Sequence, residues 1–283
     1  MHVAVILVML GSTLAASVAV CAPPKPMAFL RYVALPQAKA HLDTAIVRYT
    51  KGKVAVDLVG AVHIADKKYY DTLNRAFSSY DKVLFELVKP DELDVRDMGH
   101  SDGTVSGLQR FIKDWLALDF QLDCIRYDAK NFVHADMDSG KLGESLRAHA
   151  GDILGSLLAW SLGDAARLQH ADGTLRLTTW ELMRALSDPD RPRALKRLLG
   201  QELSEVDLAA GDVGGFGFGS VLIGQRNAIA AAVLAREMAG KSTRFAIFYG
   251  AAHLPDLEQR LIKLGFERGK IQWLVAWDLS QKP

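Results

Sequence analysis

The strongest constraint on the fold is a short pattern that the chain contains twice. VGAVHIADKK at residues 59–68 and YGAAHLPDLE at residues 249–258 share the order Gly-Ala-x-His-[Ile/Leu]-x-Asp. Each copy follows an apolar run typical of a β-strand and precedes a segment whose apolar residues recur at helical spacing. Two such strand-turn-helix units predict an α/β fold in which each histidine lies at the turn between a strand and a helix.

The residues around the first copy predict a hairpin, a helix and a further strand. Alternating β-branched residues on both sides of Gly52 are typical of a β-hairpin. Leu73 and Phe77 lie on one side of the predicted helix, and Asp66 is placed to cap its first turn. The nearly continuous apolar run DKVLFELV at residues 81–88 predicts a central strand covered on both faces.

The second copy repeats this order. Residues 243–250 predict a strand, residues 255–266 an amphipathic helix and residues 270–279 a second strand. We therefore expect a mixed central sheet built from two related βαβ halves. The residues between the halves, about 106–240, predict mainly helices, and we expect this insertion to cap the site.

The N-terminal residues predict a leader ahead of a single domain. Residues 1–22 have an apolar stretch followed by small residues, which is the layout of a secretory signal peptide, and the α/β domain is expected over 27–283. Because no Lys or Arg precedes Lys25, an uncleaved membrane anchor remains an alternative, as does lipid attachment at Cys21. These readings predict an exported protein of the bacterial periplasm, or one that its N-terminus anchors to the membrane.

Composition excludes two classes of protein. The 283 residues include 34 Lys or Arg and 33 Asp or Glu, so the formal charge is +1 and there is no basic field to attract nucleic acid. Only two cysteines are present, which excludes a disulfide framework. We expect a globular domain with an ordinary core and no nucleic-acid partner.

Three side chains are predicted to meet at the carboxyl ends of the strands. His63 and His253 follow corresponding strands, and Glu86 stands near the end of the apolar strand after His63. Two imidazoles and one carboxylate form a ligand set for catalytic divalent metals such as Mn²⁺, Co²⁺ or Zn²⁺. The alternatives are that each histidine caps its own helix and that Glu86 forms an ion pair with an arginine. Imidazoles more than about 10 Å apart would exclude a shared metal, because ligand bonds are about 2 Å long.

Arg226 is the fourth candidate. It lies in an apolar helix predicted to begin at about Ser220, where it would either bind a substrate carboxylate or developing oxyanion, or pair with Glu86. His134 is a weaker candidate: with Asp136 it predicts either a pair on the surface or a group that orients a metal ligand.

Two other chemistries are disfavoured, and one residue remains a minor candidate. The chain contains neither the G-x-S-x-G motif of serine hydrolases nor the H-E-x-x-H motif of zinc peptidases. Tyr127 is a further polar residue with a weak case for a role in the site.

The ordered motifs resemble the TraB/PrgY/GumN family. Its hallmarks are two G-x-x-H motifs, a Glu on the strand after the first motif, and an Arg before the second. In this chain GAVH at 60–63 and GAAH at 250–253 match the two motifs, and the likeness extends over about 54–88 and 220–278. The resemblance implies kinship with the TIKI metalloproteases and with the erythromycin-esterase and ChaN-like proteins.

The resemblance also implies a set of functional residues and two alternative functions. Matched by motif, His63, Glu86 and His253 form the functional core, and Arg226 is a further polar residue of the site. The expected function is divalent-metal-dependent hydrolysis, with a peptide bond as one target, in which Glu86 is either a ligand or a general base. The alternative is a non-catalytic protein that sequesters a peptide or small ligand, as pheromone-shutdown members of the family are thought to do.

Overall fold

A computed structural model describes most of the α/β domain. The described residues are 29–36, 39–87, 116–138, 140–141, 144, 179–205 and 218–280. The predicted leader at residues 1–22, with its alternatives of a membrane anchor and a lipidated Cys21, lies outside them.

The described chain contains nine strands, six α-helices and one short 3₁₀ turn. The strands are β1 (Leu30–Ala34), β2 (Ala40–Lys51), β3 (Val54–Ala61), β4 (Ile64–Ala65), β5 (Lys82–Phe85), β6 (Asp119–Phe120), β7 (Phe132–His134), β8 (Arg244–Gly250) and β9 (Glu267–Asp278). The helices are α1 (Lys67–Phe77), α2 (Gln121–Cys124), α3 (Thr179–Leu186), α4 (Arg191–Glu205), α5 (Phe218–Met238) and α6 (Leu254–Lys263), and the 3₁₀ turn spans Ala251–His253.

Seven of the strands form one mixed sheet, which confirms the predicted α/β fold. β3, β8, β5 and β7 lie side by side in that order and are all parallel. β2 pairs antiparallel with β1, β3 and β9. β9 lies on the opposite side of β2 from β3, because Ile46 pairs with Val59 on one side and with Gln272 on the other. β4 and β6 form a separate two-stranded antiparallel sheet.

The predicted hairpin is formed by β2 and β3. Lys51 pairs with Val54, so the connecting turn contains two residues, and Gly52 has a φ of 57°. A positive φ at the first of the two turn residues is typical of a type II′ turn, whose twist matches that of the strands. This hairpin places β3, which leads to His63, next to the parallel strands.

The two predicted halves, β3-α1-β5 and β8-α6-β9, are interleaved. β8 lies between β3 and β5 and is parallel to both, so each half contributes strands to the same parallel group. β9 runs in the same direction as β8 but pairs with β2, which separates it from the other three strands. As a result, the carboxyl ends of β3, β8 and β5 are neighbours at one edge of the sheet.

The insertion at about 106–240 is not purely helical. Its described part contains the expected helices α3, α4 and α5, but it also supplies β7 to the sheet and pairs β6 with β4. β7 joins β5 because Phe132 packs against the rings of Phe77 and Phe85, with centroids 5.5 and 5.7 Å away. A strand of three residues is too short to show a period of two in the sequence, so the pattern did not predict it.

The core lies on both faces of the sheet. In β5, Val83 and Phe85 belong to the cluster that includes α1, whereas Leu84 belongs to the cluster that includes α5 and α6. This division follows from the alternation of side chains along a strand. Because both faces are covered, β5 carries the continuous apolar run that predicted a central strand. Within the described ranges, no helix combines the length and apolar character needed to cross a bilayer.

Replacing Leu84 by alanine tests the central position of β5. Leu84 is 0% exposed, so Leu84→Ala is expected to lower the free energy of unfolding by about 2–5 kcal/mol. Leu122 is 55% exposed, and Leu122→Ala is expected to change it by less than about 0.5 kcal/mol. Urea denaturation measures both values; equal effects would contradict the placement of β5 in the core.

Candidate functional site

The three predicted site residues meet around Gly250, the last residue of β8. A Cβ atom added to Gly250 would lie 3.3 Å from Glu86 Oε2, 3.8 Å from His63 Nε2 and 3.8 Å from His253 Cδ2. Because His63 Nε2 and His253 Cδ2 each lie 3.8 Å from that point, these two ring atoms are separated by at most twice 3.8 Å. This separation is below the limit of about 10 Å for a shared metal. The strand ends thus bring together His63, Glu86 and His253.

Gly250 also contributes its backbone to the site. Its N–H donates a hydrogen bond of 2.6 Å to Glu86 Oε2. A side chain at this position would crowd the carboxylate, since the added Cβ would stand 3.3 Å from Oε2. The glycine therefore allows the carboxylate of Glu86 to approach the backbone of β8.

Glu86 is a largely buried carboxylate with charged and polar partners. Arg226 Nη2 donates to Glu86 Oε1 at 2.7 Å, and His253 Nε2 lies 3.5 Å from the same oxygen. Burial raises the pKa of Glu86, but the combined interactions with His253, Arg226 and the Gly250 N–H outweigh it and hold the pKa below its usual value. Glu86 is therefore ionised at neutral pH.

Arg226 lies in the third turn of α5 and binds two carboxylates. Its Nε and Nη2 donate to the two oxygens of Asp136 at 2.9 and 2.6 Å, and Nη2 also donates to Glu86. Burial lowers the pKa of Arg226, but its contacts with Asp136 and Glu86 reverse the effect and raise it above the usual value. The predicted ion pair with Glu86 is present, while Nη1 points towards His253 Nε2 at 3.4 Å.

His253 is buried at the start of α6. Its Nδ1 lies 2.7 Å from Asn227 Oδ1, and its ring packs edge-on against Tyr249 with the centroids 5.3 Å apart. Burial lowers the pKa of His253, and the positive charge of Arg226 lowers it further, against the opposing effect of Glu86. The ring is therefore neutral at pH 7.

His63 is exposed and is held through its backbone by the insertion. Its carbonyl oxygen accepts a hydrogen bond of 2.9 Å from Gln121 N, and the next two residues form β4, which pairs with β6. The position of His63 therefore depends on residues from outside both βαβ halves.

The prediction that the Asp66 side chain caps α1 is wrong. Asp66 occupies the N-cap position, but its carboxylate makes no bond to the helix. Instead it accepts hydrogen bonds from Lys196 Nζ at 2.9 Å and from Asp278 N at 2.6 Å. The buried ammonium group of Lys196 requires a negative partner, and this requirement outweighs the cap.

The predicted surface pair of His134 with Asp136 is also wrong. The Asp136 side chain is fully buried and binds Arg226, whereas His134 Nε2 lies 2.6 Å from the carbonyl oxygen of Leu87. Tyr127 packs in the core, where its hydroxyl accepts a hydrogen bond from Gln121 Nε2 at 2.8 Å.

The sequence patterns did not predict two contacts of the candidate site. Asp136, which follows β7 by two residues at the same edge of the sheet, was not linked to Arg226, although a carboxylate after a strand is a signal for this edge. Asn227 was not considered at all. Its signal is its place directly after Arg226 in a mostly apolar helix.

The donor atoms fit a divalent metal in part. Glu86 Oε1 and His253 Nε2 are 3.5 Å apart, a separation that two ligands of one metal adopt when each bond is about 2 Å long. His63 Nε2 faces the same glycine from the exposed side. As they stand, no three His, Cys, Asp or Glu side chains of the described residues form a complete ligand group.

Comparison with known proteins identifies no relative: no family model, no curated protein and no solved structure matches this chain. The resemblance to the TraB/PrgY/GumN family therefore rests on the motifs and remains a prediction.

Replacing Asp136 by asparagine tests whether Arg226 depends on it. Asp136→Asn removes one of two carboxylates from a buried guanidinium and is expected to cost about 3–5 kcal/mol of unfolding free energy. Asp71→Asn, at an exposed pair with Lys67, is the control and is expected to leave the unfolding free energy nearly unchanged. Chemical denaturation gives both values, and a cost for Asp136→Asn no larger than the control would refute the dependence.

Acidification is expected to destabilise the protein through His253. Because its pKa is lowered in the folded state, His253 takes up a proton more readily when the protein is unfolded. The contribution of His253 to stability is therefore fully present above about pH 6.5 and is lost as the pH falls below that value. His253→Gln should therefore show a flatter decline of unfolding free energy between about pH 6.5 and 5. Parallel declines in urea denaturation series would contradict the assignment.

Proposed function

We propose that the chain is a divalent-metal-dependent hydrolase whose metal is held by His63, Glu86 and His253. The observation that carries the proposal is a local excess of negative charge. Two buried carboxylates, Glu86 and Asp136, share the single guanidinium of Arg226, and His253 beside them is neutral. An unbalanced buried charge is costly, and a bound cation would relieve the cost.

A divalent cation held by His63, Glu86 and His253 would supply Lewis-acid chemistry, which activates water as a nucleophile and polarises a carbonyl group. The neutral ring of His253 suits a ligand, because a protonated imidazole offers no lone pair to a metal.

The environment of Glu86 favours a ligand role over a general base. Both oxygens accept short hydrogen bonds, from Arg226 and from the Gly250 N–H, and its pKa is lowered. A base with a lowered pKa takes up a proton less readily at neutral pH. Glu86 therefore remains a carboxylate and supplies negative charge to the cation.

Arg226 is placed to stabilise negative charge that develops on the substrate. Asp136 and Glu86 engage its Nε and Nη2, which fixes the guanidinium plane and leaves Nη1 on the His253 side. A donor that is fixed in advance stabilises an oxyanion without reorganisation. Hydrolysis of a peptide or another carboxyl-derived bond fits this arrangement.

A second candidate function is sequestration of a peptide or small ligand without turnover. The ion pair between Arg226 and Glu86 favours it, because each of these side chains already has a partner. Arg226 is the residue predicted to stabilise the oxyanion, and Glu86 is a predicted metal ligand. Under either function we propose that the protein is exported to the periplasm or anchored by its N-terminus, as the sequence of residues 1–22 and Cys21 suggests.

Metal titration and turnover test the proposal. The affinities for Mn²⁺, Co²⁺ and Zn²⁺ are measured by calorimetry. Loss of a residue that only orients a ligand usually weakens metal binding ~10–100-fold, so the double variant His63→Ala/His253→Ala, which loses two ligands, is expected to bind more weakly still. His41→Gln is the control, because His41 contacts Asp43 and lies outside the Gly250 cluster. Cleavage of a peptide library by the metal-loaded wild type supports the hydrolase.

Two outcomes count against the hydrolase. Equal metal binding by the wild type and the double variant contradicts a shared site at His63 and His253. Metal binding at this site without cleavage of peptides or ester substrates favours the sequestering protein.

A further inference from the structure

Asn227 is a fully buried polar residue, and both the nitrogen and the oxygen of its side-chain amide form hydrogen bonds. Its Nδ2 donates hydrogen bonds to the carbonyl oxygen of His253 at 3.0 Å and to Asp256 Oδ2 at 2.8 Å. Its Oδ1 lies 2.7 Å from His253 Nδ1. The amide thus connects α5 to the start of α6 and touches both the backbone and the ring of one histidine.

The partners of Asn227 fix which end of its amide is the oxygen. A backbone carbonyl only accepts hydrogen bonds, and so does the carboxylate of Asp256, which is paired with Arg260 Nε at 2.6 Å. Both must therefore face the NH₂ group. The atom that faces the His253 ring is then Oδ1, and because an amide oxygen only accepts, Nδ1 must carry a hydrogen.

We propose that Asn227 is a positioning residue that keeps the neutral ring of His253 in its Nδ1–H form and leaves the lone pair on Nε2. That lone pair faces Glu86 Oε1 at 3.5 Å and Arg226 Nη1 at 3.4 Å. Only a nitrogen without hydrogen can bind a metal or accept a proton. Asn227 therefore determines which side of the ring is reactive.

Two neighbours act on this choice in opposite directions. Glu86 alone would favour a hydrogen on Nε2, because its carboxylate would accept it, and the Nε2–H form also predominates in free histidine. Arg226 Nη1 lies on the same side and is a donor, which favours the lone pair. The hydrogen bonds of Asn227 decide between the two forms of the ring. An Nε2–H ring would leave two buried acceptors, His253 Nδ1 and Asn227 Oδ1, in contact with no hydrogen between them.

This inference rests on the proposed function in one respect only, in that it explains how His253 is prepared as a ligand. The position of the hydrogen is a property of the metal-free protein. It can therefore be measured without a metal and without a substrate.

Nitrogen NMR tests the position of the hydrogen directly. Long-range ¹H–¹⁵N spectra of the full chain, labelled at histidine, are recorded at about pH 9, more than two units above the usual histidine pKa of about 6.5. His253→Gln identifies the signals of His253 among the eight histidines by removing them. A protonated and a bare ring nitrogen differ widely in chemical shift, so Nδ1–H and Nε2–H are distinguished.

Three variants separate the proposed role from a general effect on folding. Asn227→Leu removes the acceptor and is expected to convert His253 to the Nε2–H form, whereas Asn227→Gln retains both the acceptor and the donor of the amide and is expected to keep Nδ1–H. Arg260→Gln is the matched control: it disturbs the same contact between α5 and α6, through Asp256 and the carbonyl oxygen of Gly224, without touching the ring. It is expected to keep Nδ1–H.

The outcomes are decisive even if one variant does not fold. An Nε2–H ring in the wild type overturns the proposal, as does an Nδ1–H ring in folded Asn227→Leu. If Asn227→Leu is unfolded, loss of Nδ1–H in folded Asn227→Gln overturns it instead.

Titration with Co²⁺ separates this inference from the proposed function. Asn227→Leu is expected to weaken Co²⁺ binding by about 10–100-fold, the usual effect of losing a residue that orients a ligand, while Arg260→Gln changes it little. An Nδ1–H ring in a wild type that binds no divalent metal would contradict the hydrolase but support the role of Asn227. Equal Co²⁺ affinities with an unchanged ring in Asn227→Leu would contradict the role of Asn227 alone.

Discussion

The buried contact of Arg226 with two carboxylates is the interaction on which the site depends. It joins α5 to residues that follow β5 and β7, so that three elements distant in sequence are fixed at one edge of the sheet. Two of these elements, β7 and α5, come from the insertion. The site is therefore not the product of the two βαβ halves alone, because the carboxylate from the first half is held by a cation from between them.

The interleaving of the strands explains why residues so far apart in sequence meet. With β8 placed between β3 and β5, the turn that carries His253 is next to both the turn after β3 and the end of β5. Gly250 completes the arrangement, since its missing side chain provides the space in which Glu86 and both rings approach one another. Without this strand order, the same motifs would lie at separate points of the edge.

The sequence predicted the parts of the molecule that follow from local pattern. A continuous apolar run identified β5 as a central strand, and the rule that side chains at strand ends share an edge brought His63, Glu86 and His253 together. It failed where a tertiary contact decides between local choices. The Asp66 carboxylate binds Lys196 rather than its own helix, and Asp136 is buried against Arg226 rather than exposed beside His134. No rule based on spacing along the chain predicts these partners.

The ion pair between Lys196 and Asp66 has a mechanical consequence. It connects α4 to the turn that carries His63, whereas His253 is held by Asn227 on α5. The two histidines thus have separate supports, and a displacement of α4 would reach one of them without directly moving the other. The spacing between the rings therefore depends on two separate contacts of the insertion, one through α4 and one through α5.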